Sequence, residues 1–444
     1  MGLTKISFKK IALLFTLLTV SLTLTACVQL PFLGGGQKGP VTLLWWGLWE
    51  PEGVVKPLIE KYQSQNPNVK IVYEKQNSKQ YLQRLKNKIA QDGSPDIFRF
   101  HNTWVPMLRG ELAVASAKTI DKKTFQNTFY PVASIDLTNA NGIVGIPLEY
   151  DGLALYWNEE IFAAAGIANP PKTWAELSTT AAKLTVKDDK NQILTSGLAM
   201  GTSTNIDHFS DILALMMLQN GVDLANPTAR LNFATDALNW YTSFSRAGPE
   251  SRVWDDTLPN STTAFASGRL AMYFGPSWRV FEIKKANRNL KFKIAPVPQF
   301  PGGEKVAWAS YWVEGVSAKS KNQEEAWKFL KFLSEKDQLQ EFYSTASKAQ
   351  AQDRTFGEPY GRVDLATLLK DDPLVGAYIQ DAPSAKSWYM ASATQDEALN
   401  DAVISFYKKA IDDVNHGTRA DQALQAAASS VKQVLQKYNL LPSS

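Results

Sequence analysis

The chain has 444 residues, with 47 lysines and arginines against 43 acidic residues and a formal net charge of +4. Loss of residues 1–26 would remove Lys5, Lys9 and Lys10 and no acidic residue, leaving +1, and so neutral a body lacks the basic field that phosphate neutralisation demands, which argues against nucleic acid as a partner. A single cysteine excludes a disulfide framework within the chain, and histidines at 101, 208 and 416 form neither a zinc signature nor a Ser-His-Asp pattern, so no metal or other cofactor is expected.

The first element is an export signal. Lys5, Lys9 and Lys10 supply a basic n-region and residues 11–24 an apolar h-region. Thr16, Thr19, Ser21 and Thr23 interrupt that run, which falls short of the roughly 20 apolar residues a span requires. The tetrad Leu24-Thr25-Ala26-Cys27 resembles a bacterial lipobox, which implies that residues 1–26 are cleaved and that Cys27 becomes a lipidated first residue facing the extracellular or periplasmic side. Residues 33–40, with Gly34, Gly35, Gly36, Gly39 and Pro40, read as a tether, so residues 27–40 form anchor and spacer. No strand precedes the glycines and no Lys-Ser/Thr pair follows, so they are not a phosphate loop.

The body beyond Val41 is too long for one core and, at 44% hydrophobic residues, rich enough for two. Its elements alternate in the manner of α/β layers with a mainly parallel sheet. Residues 41–46 predict a strand, followed by a helix with Val54, Val55, Leu58, Ile59 and Tyr62 on one face. Residues 68–73 predict a second strand, Tyr81, Leu82, Leu85 and Ile89 a second helix, and residues 95–100 a third strand, with Asp96 bonding local backbone. Caps are expected from Thr173 with Glu176, Asn322 with Glu325, and Thr418 with Asp421. Helical spacing marks three further core faces: Ala237, Trp240, Tyr241 and Phe244; Ala326, Phe329, Leu330 and Leu333; and Leu424, Ala427, Val431 and Leu435.

Several segments carry a family resemblance. Gly145-Ile-Pro-Leu-Glu-Tyr-Asp-Gly-Leu-Ala-Leu-Tyr-Trp-Asn158, with Ile161-Phe-Ala-Ala-Ala-Gly166 and Pro170-Pro-Lys-Thr-Trp-Ala-Glu-Leu177, resembles the central signature of family 1 extracellular solute-binding proteins, the maltose-binding-protein-like sugar receptors of ABC importers. Gly93-Ser-Pro-Asp-Ile97, Phe265-Ala-Ser-Gly-Arg-Leu-Ala-Met-Tyr-Phe-Gly-Pro-Ser-Trp278, and Ser317-Ala-Lys-Ser-Lys-Asn322 with Glu325-Ala-Trp-Lys-Phe-Leu-Lys-Phe-Leu333 agree in the same order. The resemblance implies a periplasmic-binding-protein-like type II fold of two discontinuous lobes, residues 41–150 plus 297–336 and residues 151–296 plus 337–444, with a hinged cleft between them. It also implies a monomer that captures a carbohydrate, an oligosaccharide by its many tryptophans, and passes it to a permease. A glycerol phosphate derivative is the alternative ligand, since such receptors share the fold.

A sugar offers apolar C–H faces and hydroxyl rims, so its site needs aromatic platforms beside directional polar groups. Strand ends supply them: Trp46, Trp49 and Glu50; Asn102 and Trp104; Glu149, Tyr150 and Asp151; Trp278 after a Gly-Pro turn; and Tyr311, Trp312 and Glu314. Trp388 falls where the resemblance puts a C-terminal stacking residue. One of Trp45 and Trp46 must face the sheet interior by strand alternation, Tyr156 and Trp157 lie within a strand and read as core, and Trp240, Trp308 and Trp327 fit core or surface. A surface glycoside hydrolase is the rival, resting on the carboxylate pairs Glu149 with Asp151 and Asp255 with Asp256; an adhesion or scaffolding lipoprotein is the bland alternative.

Overall fold

In the computed structural model, residues 39–91, 93–348 and 358–441 are described. The expected signal, Cys27 and nearly all of the tether lie outside them. Along the chain, β1 (Val41–Gly47), α1 (Glu52–Gln65), β2 (Val69–Lys75), α2 (Tyr81–Ile89) and β3 (Ile97–His101) alternate as the periodicity predicts. The buried face of α1 is Val54, Val55, Leu58, Ile59 and Tyr62, and that of α2 is Tyr81, Leu82, Leu85 and Ile89, the residues expected from their spacing. Next come β4 (Ala154–Asn158), α3 (Trp174–Leu184), α4 (Phe209–Gln219), α5 (Leu231–Arg246), β5 (Met272–Gly275), α6 (Arg279–Ala286) and β6 (Phe292–Ala295). After these the chain forms β7 (Trp312–Val316), α7 (Gln323–Leu333) and α8 (Lys336–Lys348), and it finishes with α9 (Leu399–Asn415) and α10 (Ala420–Lys437), which pack on each other and on α5.

Two principal sheets result. The first has the order β7-β3-β1-β2, with β1 parallel to both β2 and β3 and β7 antiparallel to β3. The second, in the order β6-β4-β5, is antiparallel throughout, so the expectation of mainly parallel pairing holds for the first sheet only. All five residues of β4 are buried, including Tyr156 and Trp157, so these two belong to the core. Helices α1 and α7 cover one face of the first sheet, where Trp45 meets Phe329 edge-on at 5.6 Å and Phe329 meets Tyr62 at 4.9 Å. Helix α8 packs on α1, with Lys61 donating to Gln338 at 3.2 Å.

Of the three expected caps one forms. Thr173 and Glu176 make a reciprocal capping box at the start of α3. Asn322 holds the N-cap position of α7 without a capping side-chain bond. Helix α10 begins after Arg419, and Asp421 receives the Arg419 guanidinium in a local ion pair where a cap from Thr418 was expected. Asp96 bonds backbone, though not locally: it accepts from the Leu44 N–H of β1 at 2.9 Å, 52 residues away along the chain.

Three extended segments run side by side between the sheets. Residues 148–153 pair through Gly152 with Ala309 and through Glu149 with Tyr360. Tyr150 N–H donates to Pro359 O at 2.7 Å, Ser310 N–H to Asp151 O at 3.0 Å, and Leu153 N–H to Trp308 O at 3.2 Å. Only glycine fits at 152, because a Cβ there would lie 2.1 Å from the Trp308 carbonyl oxygen.

Candidate functional site

A cavity of about 210 Å³ opens where these segments meet the loops of both sheets. The first sheet contributes Trp49 after β1, His101 at the end of β3, and Ser310 and Trp312 at the entry to β7; the other side contributes His208 and Asp211 at the start of α4, and Pro276, Trp278 and Glu282 around the start of α6. Asp151, Gly152, Trp308 and Glu358 come from the paired segments, and Ser392 and Gln395 from the approach to α9.

Aromatic rings make the walls. Trp312 is half-buried and held by three edge-on neighbours: Trp104 at 5.2 Å, His101 at 5.3 Å and Trp49 at 5.7 Å. Trp278, also half-buried, has the Arg279 guanidinium 4.3 Å from its ring centroid and His208 edge-on at 6.0 Å. Trp308 is buried, and its indole N–H donates to Asp211 Oδ1 at 2.7 Å, which fixes the ring.

The polar groups between the rings are fixed just as firmly. Ser277 donates to Asp151 through its N–H at 2.9 Å and its hydroxyl at 2.9 Å, and Gly152 N–H donates at 2.8 Å. Burial, with the Glu358 carboxylate beside it, nevertheless pushes Asp151 well above the usual carboxylate range. His101 is held down to about 3 by burial and is therefore neutral. Its Nδ1 accepts from the Thr103 N–H at 3.3 Å, so Nε2 carries the proton and donates to Ser310 Oγ at 3.1 Å, leaving the serine hydroxyl proton to point elsewhere. The Arg279 Nε–H donates to His208 Nε2 at 3.0 Å, so the His208 proton sits on Nδ1, 2.7 Å from Ser392 Oγ.

Of the residues singled out in the sequence, Trp49, Asp151, Trp278 and Trp312 meet in this cavity. Glu50, Glu149 and Glu314 meet instead around Arg99, which is 2% exposed: Nη1 lies 2.7 Å from Glu50 and 3.8 Å from Glu149, and Nε 2.6 Å from Glu314. Burial works against the Arg99 charge, but the three carboxylates outweigh it. Glu314 also accepts from the Trp45 indole at 2.9 Å, and burial still raises its pKa. Trp46 turns away and donates to Glu74 at 2.9 Å, while Trp104 is buried behind Trp312. Tyr150 packs its ring between Tyr130 and Tyr311. Asn102 and Tyr311 both donate to Asp136 Oδ2 at 2.8 Å, and Ser387 donates to Oδ1 at 2.6 Å. Asn102 and Trp388 line a second hollow, of about 690 Å³, with Asp136 and Tyr389.

His101, His208, Asp211, Glu282, Trp308, Ser310, Glu358 and Ser392 join the cavity without having been selected. The arrangement suits a solute with flat apolar faces and a hydroxyl rim: the rings pack on the faces, and the serines, histidines and carboxylates exchange hydrogen bonds with the rim. Among the described residues no group of three histidine, cysteine or acidic side chains is placed to hold a metal ion.

Comparison with known proteins agrees with this geometry. The family model described as bacterial extracellular solute-binding protein matches residues 57–349. A putative binding protein of Brucella abortus is 25% identical over 289 residues, 62% of this chain and 67% of its own length. The sn-glycerol-3-phosphate-binding periplasmic protein UgpB of Pectobacterium atrosepticum is 23% identical over 387 residues, 79% of this chain and 85% of its own. Among solved structures, the sugar-binding protein MalE of Xanthomonas citri superposes with a TM-score of 0.72 at 20% identity, covering 90% of this chain and 98% of that one. The fold is thus the type II periplasmic-binding-protein fold, mixed α/β with two principal sheets.

Proposed function

The chain belongs to the bacterial extracellular solute-binding proteins, and from that premise we propose that it is the receptor of an ABC importer, capturing an oligosaccharide in the tryptophan-walled cavity and delivering it to a membrane permease. The observation that carries this is the convergence of Trp49, Trp312, Trp278 and Trp308 from separate parts of the chain on one cavity that also holds fixed hydroxyl, imidazole and carboxylate groups. Several platforms suit several sugar rings. The name of the Xanthomonas citri neighbour, a sugar-binding protein, points the same way.

Residues 41–150 and 297–336 then form one lobe, and residues 151–296 and 337–444 the other. The separate sheets support this division, and the packing of α8 on α1 argues for carrying the first lobe on to Lys348. The hinge would be the paired segments around Gly152, Ala309 and Tyr360. A sugar touching Trp312 on one side and Trp278 on the other stabilises the state in which both reach it, so ligand shifts the population toward a closed form. As a member of an extracellular family the chain is exported, and the lipobox-like Leu24 to Cys27 supports a lipid anchor at Cys27.

The glycerol phosphate alternative has a relative in its favour, since UgpB carries that ligand in its name. The cavity speaks against it: among the described residues that line it there is no lysine or arginine, whereas Asp151, Asp211, Glu282 and Glu358 all do. The hydrolase alternative loses its carboxylates to other work. Glu149 faces Arg99, Asp255 accepts from Thr257, Asp256 from Thr204, and Asp151 is engaged by Ser277 and Gly152.

A glycan panel screened by melting-temperature shift, followed by small-angle scattering on the body beginning near Val41, tests the proposal. We expect at least one oligosaccharide to stabilise the protein and to reduce its radius of gyration at saturation. A tight ligand that leaves the scattering profile unchanged would refute hinge closure, and a panel without any stabilising sugar would refute the carbohydrate assignment.

A further inference from the structure

Next to the tryptophan-walled cavity lies a smaller hollow of about 220 Å³, and one strap of chain, residues 392–398, borders both. Ser392, Ala393 and Gln395 line the cavity, while Gln395, Glu397 and Ala398 line the hollow, so Gln395 belongs to each. The facing wall of the hollow is α2 and its approach, which contribute Gln80, Gln83 and Lys86.

The backbone around these two spaces is strained. Among the described residues six that are not glycine have positive φ. Two of them, Asn191 and Asn439, are of the type that visits the left-handed region readily. The other four are Gln80 at 52°, Ala393 at 60°, Gln395 at 54° and Glu397 at 50°, and every one lines the cavity or the hollow. For such residues the left-handed region is unfavourable, because Cβ crowds the following carbonyl oxygen. Strain of this kind persists only where the surroundings impose it, and it gathers at ligand clamps.

Asp396 imposes it on the strap. Its buried carboxylate accepts from the Ala398 and Asn400 N–H groups at 2.9 Å and from the Asn400 side-chain amide at 2.7 Å. The same amide donates to Thr103 Oγ1, beyond the end of β3, at 2.7 Å. Held in this way, Thr394 and Asp396 are buried, whereas Ala393, Gln395 and Glu397 are exposed and border the two spaces.

The chemistry of the hollow complements that of the cavity. Where the cavity offers rings, the hollow offers the primary amides of Gln80, Gln83 and Gln395, each with donors and an acceptor for sugar hydroxyls. At about 210 and 220 Å³, neither space alone reaches the roughly 300 Å³ at which small-molecule pockets begin, and joined they pass it.

We propose that cavity and hollow form one groove, with Gln80, Gln83 and Gln395 as a subsite for a second sugar unit, so that the ligand is a chain of at least two units. This rests on the oligosaccharide reading and narrows it.

The test is a length ladder: malto-, cello-, manno- and xylo-oligosaccharides of one to four units, together with the series of any sugar the glycan panel identifies, measured by calorimetry on the full-length protein. In a series that binds, one added unit should raise affinity about tenfold or more, as a few hydrogen bonds warrant. That step should shrink to about threefold or less in Gln80→Gly and in Gln83→Ala, neither of which lines the cavity, while the shorter ligand binds as before. Gln80→Gly relieves a left-handed residue, so its Tm should equal or exceed the parent's, which separates loss of the step from loss of the fold. Equal affinity at every length, or a step that both variants keep, overturns the groove and leaves sugar capture in the cavity standing. Binding by no series, with the wider panel failing too, overturns the carbohydrate reading and the groove with it.

Discussion

Replacing Arg99 by Met removes the guanidinium that, among the described residues, pairs with Glu50, Glu149 and Glu314 in a buried cluster. Methionine roughly keeps the volume, so the loss is electrostatic: carboxylates 2.6 and 2.7 Å from the guanidinium are left in a site with 2% exposure. Breaking a buried pair from one side costs about 3–5 kcal/mol. At about 2.1 cal/mol/K per residue, a body of roughly 400 residues melting as one unit loses about 1.2 °C for each kcal/mol, so Tm should fall by about 4–6 °C. The pH dependence supplies the signature. Without Arg99 the buried carboxylates acquire folded pKa values above their unfolded ones, so the variant is least handicapped below the unfolded value of about 4.3 and loses stability as pH rises through the folded values. Scanning calorimetry should therefore show a larger deficit near pH 8 than near pH 5. Adding Glu314→Met should recover part of the loss, since removing both partners is far cheaper than removing one. A deficit that is absent, or equal at both pH values, would show that Arg99 is not the charge on which the cluster depends.

Three further outcomes are expected. Trp278→Ala should weaken sugar binding by about 1–3 kcal/mol while leaving Tm nearly unchanged, as loss of an aromatic anchor does; unaltered calorimetric affinity would take Trp278 out of the site. His101, held down to about 3 in the folded protein against about 6.5 when unfolded, contributes stability that is fully present above pH 6.5 and lost progressively as pH falls toward 3. His101→Gln should flatten the Tm profile across that window, and a profile parallel to the parent's would contradict a buried neutral imidazole. Cys27→Ser should free the folded body from the membrane or block its processing, and membrane retention at unchanged size by fractionation and blotting would count against lipidation.

Much of the architecture is legible because local periodicity and burial agree. The buried faces of α1 and α2 are the residues their spacing selects, and β1 and β3 end where aromatic and polar residues collect. Helix starts are less legible, since a cap depends on backbone geometry that Asn322 and Thr418 do not announce. In the site, aromatics at strand ends could be found, but a carboxylate beside a tryptophan in sequence says little about where it points. Glu50, Glu149 and Glu314 look like ligand contacts until Arg99 is placed. The available signal was the arginine itself, central in the apolar strand Ile97-Phe-Arg-Phe-His101, where a charge must find partners. His208, Asp211 and Ser392 gave no such signal, because their meeting depends on packing α4 against a segment almost two hundred residues further on. The bond from Ser392 N–H to Asp211 spans 181 residues.

The edge strand β7 gives the first sheet its fourth member, and its Glu314 meets Arg99 of β3 across 215 residues of chain. Until residue 316 has been made, the charged strand β3 has no partner on that side and Arg99 has no carboxylate from β7. At about 5–20 residues per second, synthesis of the intervening stretch takes roughly 10–40 s. Throughout that interval the amino-terminal half cannot close its core, and so non-local a topology is slow to fold even once complete. For an exported polypeptide such a delay is useful, since the order of the strands along the chain postpones completion of the first sheet until most of the body has been made.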